Sequence, residues 1–224
     1  GLRADNATVV GVALDDPNLT TEEEANEKLH AEYNQDAPPL VSVLHFVGQP
    51  HVFVARHRSV TLVPVGPDRS LGEGLVVDCP RAIAAAVGDI DGDGHDDLVI
   101  ACRQSFEDAE CSWVYWGGLG GFDDSRRTRL DSNRACDVVV GDLDGNGLAD
   151  IVLCQNHTSE SFTTDSFIYR GAADREMGRP VAISNEDPRR VFMVSSGDGG
   201  RPDLLFINHY SRKIFEVSPA IYYG

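Results

Sequence analysis

The chain has 224 residues, of which 42% are hydrophobic and 25% are charged, so it can bury a core and is not a disordered tail. Its net charge of -17 and its pI of about 4.6 disfavour nucleic acid and anionic membrane surfaces as partners, because no basic patch of useful size is present. No apolar run approaches the roughly 18 residues of a membrane span. The start at Gly1, without Met or an apolar signal segment, fits a mature, processed chain.

Residues 1–39 are predicted to form an N-terminal extension. Within it, residues 7–14 are predicted to form a strand. Residues 21–24 form a capping box, which predicts a short acidic helix that runs to about Tyr33. We expect the strand at 7–14 to supply an outer strand that the last repeat lacks, and so to close a ring.

The rest of the chain contains a motif of acids and glycines that recurs. Residues 89–98 match residues 142–151 at an offset of 53. A fainter copy surrounds Asp203, and residues 51–55 resemble residues 97–101 at an offset of 46. Such a period is typical of propellers, solenoids or arrays. We therefore predict four repeats, listed by range as 40–80, 81–133, 134–186 and 187–224.

Each repeat contains short runs rich in Val and Ile, separated by Gly, Asp, Asn and Pro. The second repeat has predicted strands at 84–87, 98–103, 112–116 and 127–130, and the third has them at 137–140, 151–155, 166–170 and 180–183. Four antiparallel strands in about 50 residues are typical of a propeller blade. The sequence thus predicts an all-β fold, a β-propeller of about four four-stranded antiparallel blades, with a short N-terminal helical extension. A right-handed parallel β-helix is the alternative, although its coils are usually shorter.

The acids of the two strong copies alternate along the chain, as hard oxygen ligands do when they surround Ca²⁺. Gly94 and Gly147 permit the sharp turn that such a loop needs. We predict two calcium sites, in which His95 and Leu148 contribute backbone carbonyls. The predicted metal ligands are Asp89, Asp91, Asp93, His95 and Asp97 in the first loop, and Asp142, Asp144, Asn146, Leu148 and Asp150 in the second.

Two other interpretations of the loops fit less well. An EF-hand needs an acid at loop position twelve, where Ile100 and Leu153 stand within predicted strands. A catalytic carboxylate pair does not explain why the motif and its glycines are duplicated. A turn without metal is expected only in the fourth repeat, where Ser195, Gly197 and Gly199 occupy the first three ligand positions.

Residues 87–100 and 140–151 resemble the FG-GAP (VCBS-type) repeat of integrin α-subunit propellers and related proteins. The strand at 114–116, followed by paired glycines, resembles the later half of such a blade. The resemblance implies that the calcium is structural and that the setting is extracellular or periplasmic. That family usually builds seven blades. Four blades would therefore form a compact ring, part of a longer protein, or an incomplete propeller that a partner completes.

The cysteines and the glycosylation sequons add weaker hints. Five cysteines occur without a CxxC pair, and Cys102 and Cys111 flank a strand connection where a disulfide is geometrically allowed. Buried thiols are the alternative. Sequons begin at Asn6, Asn18 and Asn156, as expected of a secreted glycoprotein.

We therefore expect a calcium-stabilised β-propeller, extracellular or secreted, or periplasmic or on the cell surface in a bacterium. Its expected role is protein binding, adhesion or assembly with partner subunits, not catalysis. The alternatives are a glycan-binding, lectin-like propeller, a catalytic propeller, or the non-catalytic domain of a larger secreted enzyme. Trp113 or Trp116 could stack on a sugar, but core packing fits both better.

Overall fold

The computed structural model describes residues 40–46, 49–56, 59–103, 111–119, 121–156, 161, 163–194, 200–209 and 219–222. Within these ranges the structure contains fifteen β-strands and no helix. In the part of the chain that is described, no helix has the length and apolar character that a membrane crossing requires. The predicted strand at 7–14 and the predicted helix that runs to Tyr33 lie outside the described residues.

The strands form four sheets, and within each sheet neighbours in sequence pair antiparallel. The first sheet contains β1 (Leu40–Phe46), β2 (Gln49–Ala55), β3 (Ser59–Pro64) and β4 (Leu75–Asp78). The second contains β5 (Ala82–Gly88), β6 (Asp97–Cys102), β7 (Cys111–Tyr115) and β8 (Arg127–Asp131). The third contains β9 (Ala135–Gly141), β10 (Asp150–Gln155), β11 (Thr163–Tyr169) and β12 (Val181–Glu186). The fourth contains β13 (Pro188–Val194), β14 (Asp203–Asn208) and β15 (Ala220–Tyr222). The prediction of an all-β fold with four-stranded antiparallel sheets is confirmed, although the fourth sheet has three strands among the described residues.

The 53-residue period is visible in the backbone itself. A non-glycine residue with positive φ precedes the first strand of the last three sheets: Arg81 (61°), Arg134 (59°) and Asp187 (45°). The carbonyl of each accepts a hydrogen bond from the N–H that follows the second strand, at Arg103, Asn156 and His209. Because this arrangement includes the fourth sheet, the repeat persists there although its acidic motif is eroded in sequence.

Consecutive sheets pack face to face, and we call each such interface a seam. Each of the three seams contains one buried apolar cluster. All residues of β6 and β10 are buried, because these central strands contact a neighbouring sheet on both faces. The first strands of successive sheets approach closely at Gly88 and Gly141. A Cβ at either glycine would lie 2.6 Å from a side-chain atom of the next sheet.

A tyrosine hydroxyl crosses each seam near the outer strand. Oη of Tyr115 donates to the carbonyl of Asp78 at 3.3 Å. Tyr169 donates to Asp131 at 2.7 Å in the second seam, and Tyr222 donates to Ser184 at 2.6 Å in the third. Burial raises the pKa of Tyr169 to about 12, so its hydroxyl remains a donor at neutral pH. These three bonds join each sheet to the one before it.

The first and fourth sheets each have one face against which no described sheet packs. Among the described residues, no buried apolar cluster joins the fourth sheet to the first. Val43, Val52 and Val63 form a cross-strand row on the outer face of the first sheet, where Val43 is 58% exposed. Phe192, Leu205 and Ile221 form such a row on the fourth, where Phe192 is 48% exposed. We call these surfaces the first end face and the last end face.

The structure bears on two local features of the sequence. The sulfur of Cys102 contacts that of Cys79, which directly follows β4, while the link between Cys102 and Cys111 stays a prediction. The register of the sheets places Cys102 in the seam, which local spacing does not reveal. Asn156 is 1% exposed, so the side chain of its sequon is inaccessible in the folded protein.

Candidate metal centre

Each of the two acid loops connects the first and second strands of its sheet. The first acid loop, residues 89–97, joins β5 to β6, and the second, residues 142–150, joins β9 to β10. Each loop contains two glycines with positive φ, Gly92 (76°) and Gly94 (84°) in the first, and Gly145 (76°) and Gly147 (90°) in the second. Residues with a Cβ rarely adopt this conformation, so the glycines set the shape of both loops.

Three carboxylates converge in each loop. Asp89, Asp91 and Asp97 each offer an oxygen, and these oxygens lie within 4.8 Å of one another. Asp142, Asp144 and Asp150 form the equivalent trio. Two oxygens bound on opposite sides of a Ca²⁺ at about 2.4 Å lie about 4.8 Å apart. The spacing and the hard oxygen donors therefore fit a calcium ion, and either trio could hold one.

Backbone N–H groups hold the loop carboxylates in place. Asp89 accepts hydrogen bonds from Gly92 (2.8 Å) and Gly94 (3.0 Å), and Asp91 accepts one from Asp93 (3.0 Å). In the second loop, Asp142 accepts from Gly145 (2.7 Å) and Gly147 (2.8 Å). The ligand geometry is thus largely preformed by the loop itself, which lowers the ordering cost of ion binding.

The last acid of each trio is buried where the second strand begins. Asp97 is 0% exposed, and its two oxygens accept N–H bonds from Ile90 (2.9 Å) and Gly117 (2.8 Å). The pKa of Asp97 is raised to about 6, chiefly by burial and in smaller part by the charges of Asp91 and Asp93, while the two N–H bonds oppose the rise. A bound cation would relieve both the desolvation and the repulsion.

The second trio has the same closing arrangement. Asp150 is 0% exposed and accepts N–H bonds from Leu143 (3.1 Å) and Gly171 (3.0 Å). Hydrogen bonds from the backbone, the strongest from Gly147, lower the pKa of Asp142 and keep it ionised.

Gly117 and Gly171 hold the buried acids of the two trios, and the sequence analysis missed this role. Each follows the third strand of its sheet and donates to the buried acid. A Cβ at Gly117 would lie 2.2 Å from the carbonyl oxygen of Asp96, and one at Gly171 would lie 2.7 Å from that of Ala149. Only glycine allows this approach. Their separation of 54 residues, close to the repeat period, was the available signal.

Two arginines also contact the trios. Arg175 forms ion pairs with Asp91 and, at 2.9 Å, with Asp93. Arg170 lies 2.8 Å from Asp150 and 3.5 Å from Asp144. Each guanidinium neutralises part of its loop but leaves a surplus of negative charge, which a divalent cation would balance.

The remaining predicted ligands lie in the loops but outside the two trios. Asp93 accepts the N–H of His95 at 2.9 Å, and Asn146 accepts that of Leu148 at 2.7 Å. Ligation by Asp93, by Asn146 and by the two carbonyls stays a prediction. Ser195, Gly197 and Gly199 of the fourth repeat lie outside the described residues.

The first acid loop is bonded to the sheet that follows it. Its second residue, Ile90, is 0% exposed within the second seam. Ala149 donates to the carbonyl of Asp89 at 2.9 Å, and Ala172 donates to that of Ile90 at 3.1 Å. Leu143, the equivalent of Ile90 in the second loop, is buried in the third seam. Ordering an acid loop therefore orders a seam.

With this geometry described, comparison with known proteins identifies the repeat. Residues 89–153 match the profile of the family described as FG-GAP-like repeat. These residues are therefore similar to the FG-GAP-like repeat. The match begins at the first ligand of the first loop and ends within β10, so it includes both trios. The resemblance to FG-GAP repeat β-propellers that the sequence indicated is confirmed.

The structural comparison is more distant. The chain is similar to a solved structure of a mutant Tc holotoxin pore from Photorhabdus luminescens, with 17% sequence identity and a TM-score of 0.42. That match covers 80% of this chain and 9% of the other. No curated protein matches the chain.

Proposed function

We propose that the protein is a calcium-stabilised, four-bladed propeller segment that acts outside the cell as an assembly module and not as an enzyme. Each of the four sheets is one blade in this proposal. The observation that carries it is the pair of apolar end faces. Exposed, contiguous apolar surfaces are typical of interaction sites, because isolated proteins rarely leave them in water.

One calcium ion in each acid loop would serve a structural role. The ion supplies a charge that holds three carboxylates together. Asp89 and Ile90 then stay in the positions where their carbonyls accept hydrogen bonds from the third sheet. Calcium should therefore stabilise seams as well as loops.

The occupant that best fits the last end face is the first end face of a second copy. In each of the three seams, the face of one sheet that points toward the C-terminal end of the array packs against the face of the next sheet that points toward the N-terminal end. Among the described sheets, the last end face is the one C-terminal face without such a neighbour, and the first end face is the one N-terminal face without one. Copies would thus associate head to tail, either as a closed ring or as an open chain.

Light scattering after size-exclusion chromatography tests this in calcium at about 0.15 M salt, where repulsion between the acidic copies is screened beyond about 8 Å. Wild type should associate as its concentration rises. Val43→Glu on the first end face and Phe192→Glu on the last should each be monomeric alone. Mixed together, these variants should form a heterodimer, because the mixture retains one intact pair of faces. Leu119, which is 98% exposed in a loop, provides the control Leu119→Glu.

A wild type that stays monomeric at every concentration would contradict the second copy as occupant, as would equal association of the end-face variants and the control.

Glycan binding is not favoured by the tryptophans. Trp116 is 3% exposed, and the guanidinium of Arg127 lies 4.2 Å from the centroid of the Trp113 ring. Neither ring is therefore open for sugar stacking.

A further inference from the structure

Two pairs of cysteine sulfurs are in contact within the described residues. Sγ of Cys79, which directly follows β4, lies 3.4 Å from Sγ of Cys102 at the end of β6. Sγ of Cys136 in β9 lies 3.4 Å from Sγ of Cys154 in β10. A disulfide bond is about 2.05 Å long, so each pair needs to approach by only about 1.4 Å.

The first pair occupies a special position in the repeat. Cys79 and Cys102 face each other across the first seam, from different sheets. One repeat of 53 residues later, the equivalents of Cys79 and Cys102 at the second seam are Ser132 and Gln155. One further repeat later, the equivalents at the third seam are Asn185 and Asn208. Among the three seams, only the first has cysteines at these two positions, where the other two have hydroxyl or amide side chains. That seam also has the longest of the three tyrosine bonds, 3.3 Å from Tyr115.

We propose that Cys79–Cys102 and Cys136–Cys154 are two disulfide sites, and that the first bond locks the first sheet to the second. The inference rests on the proposed extracellular role for its oxidising setting. Its chemistry, however, is independent of calcium and of association between copies.

The oxidant is a small disulfide such as glutathione disulfide. One protein thiolate attacks it, forms a mixed disulfide and releases one glutathione thiolate. The second thiolate of the pair attacks the mixed disulfide, forms the protein S–S bond and releases the second glutathione. Two electrons pass from the protein sulfurs to glutathione, and the two thiol protons end on the released glutathione molecules. The hydrogen bond between the sulfurs lowers the pKa of Cys79, which favours Cys79 as the attacking thiolate.

Each bond would stabilise the protein by restricting the unfolded chain. Cys79 and Cys102 are 23 residues apart, and Cys136 and Cys154 are 18 apart. The first bond has a second effect, because the first sheet could then no longer separate from the second while both stay folded.

The test uses wild type and Cys111→Ser, which leaves only the four paired cysteines. One sample is incubated folded with glutathione disulfide, and a second is refolded from urea in a glutathione buffer, so that slow access to buried thiols cannot hide the bonds. Acid quenching, alkylation and peptide mass mapping should find 79–102 and 136–154 links in both variants. The oxidised Cys111→Ser protein should unfold at a urea concentration about 2 M higher than the reduced one.

The double variant Cys79→Ser/Cys102→Ser should lose part of that gain and keep the 136–154 link. A 102–111 link in wild type, or four alkylated thiols in Cys111→Ser from both samples, would overturn the proposal. Mapping in calcium and in chelator should give the same links. A failure of the calcium sites would therefore leave this result unchanged.

Discussion

Replacing Asp97 by Asn should nearly abolish the contribution of the first calcium site while changing the calcium-free protein little. The pKa of about 6, against 3.8 for an ordinary Asp, implies that the ionised carboxylate destabilises the calcium-free fold. The difference is about 2 pKa units, or about 3 kcal/mol at neutral pH. Asn removes this charge, but its NH₂ must then face one of the N–H groups of Ile90 and Gly117, which costs about 1–3 kcal/mol. The two effects offset each other.

In calcium the balance changes, because Asn cannot supply the lost charge. At a free calcium concentration of about 100 times Kd, each site should add about 2.7 kcal/mol to the free energy of unfolding. Wild type should therefore gain about twice the increment of Asp97→Asn or Asp150→Asn, and the double variant should gain almost nothing. Asp131→Asn is a matched control, since the side chain of Asp131 is 82% exposed and belongs to neither loop.

The assay is urea unfolding, followed by tryptophan fluorescence in calcium and in chelator. Trp113 and Trp116 pack in the first and second seams, on either side of the second sheet, so they report on the region that the first loop stabilises. The reasoning is refuted if Asp97→Asn retains the full calcium increment, or if calcium does not stabilise wild type.

Three further predictions concern pH, the tyrosine bonds and the close glycines. Because the pKa of Asp97 is raised to about 6 in the folded chain, the calcium-free protein should gain stability as pH falls from 7 to 5, by about 1 kcal/mol from this group; urea titrations should show this gain in wild type and not in Asp97→Asn. Tyr169→Phe should lower the free energy of unfolding by about 1 kcal/mol, because the ring stays packed while the 2.7 Å bond to Asp131 is lost; an unchanged urea midpoint would show that the bond contributes nothing. Gly171→Ala should cost about 1–3 kcal/mol and weaken calcium binding by calorimetry, because the new Cβ would meet carbonyl oxygens at 2.7 and 2.9 Å. Gly178→Ala, which would meet nothing within 4 Å, should leave both stability and affinity unchanged.

The parts of the fold that sequence predicted well are those written in local patterns. The alternation of acids and glycines at 89–97 specifies a loop whatever surrounds it, so the two trios could be located in advance. The apolar run that follows Asp97 likewise predicted a buried strand at 98–103, where the structure has β6 (Asp97–Cys102). Both signals lie within about ten residues of chain.

The parts that sequence missed depend on contacts between sheets. Arg175 meets Asp91 across 84 positions, and Tyr169 meets Asp131 across 38. No local pattern marks such partners. The contact between the sulfurs of Cys102 and Cys79 was missed for the same reason, because it forms between two sheets. The positive φ of Arg81 carried no signal either, since arginine, unlike glycine, does not mark a left-handed residue.

The hydrogen bonds that the three tyrosines make across the seams share one direction, and this bears on how the chain is made. In each, the donor belongs to the later sheet and the acceptor carbonyl to the earlier one. Proteins emerge from the ribosome starting at the N-terminus, at about 5–20 residues per second. When Tyr169 emerges, the carbonyl of Asp131 has already been synthesised, and the same holds for Tyr222 and Ser184. Each new sheet can therefore dock onto a finished surface as it appears, and the polypeptide can fold in the order in which it is translated.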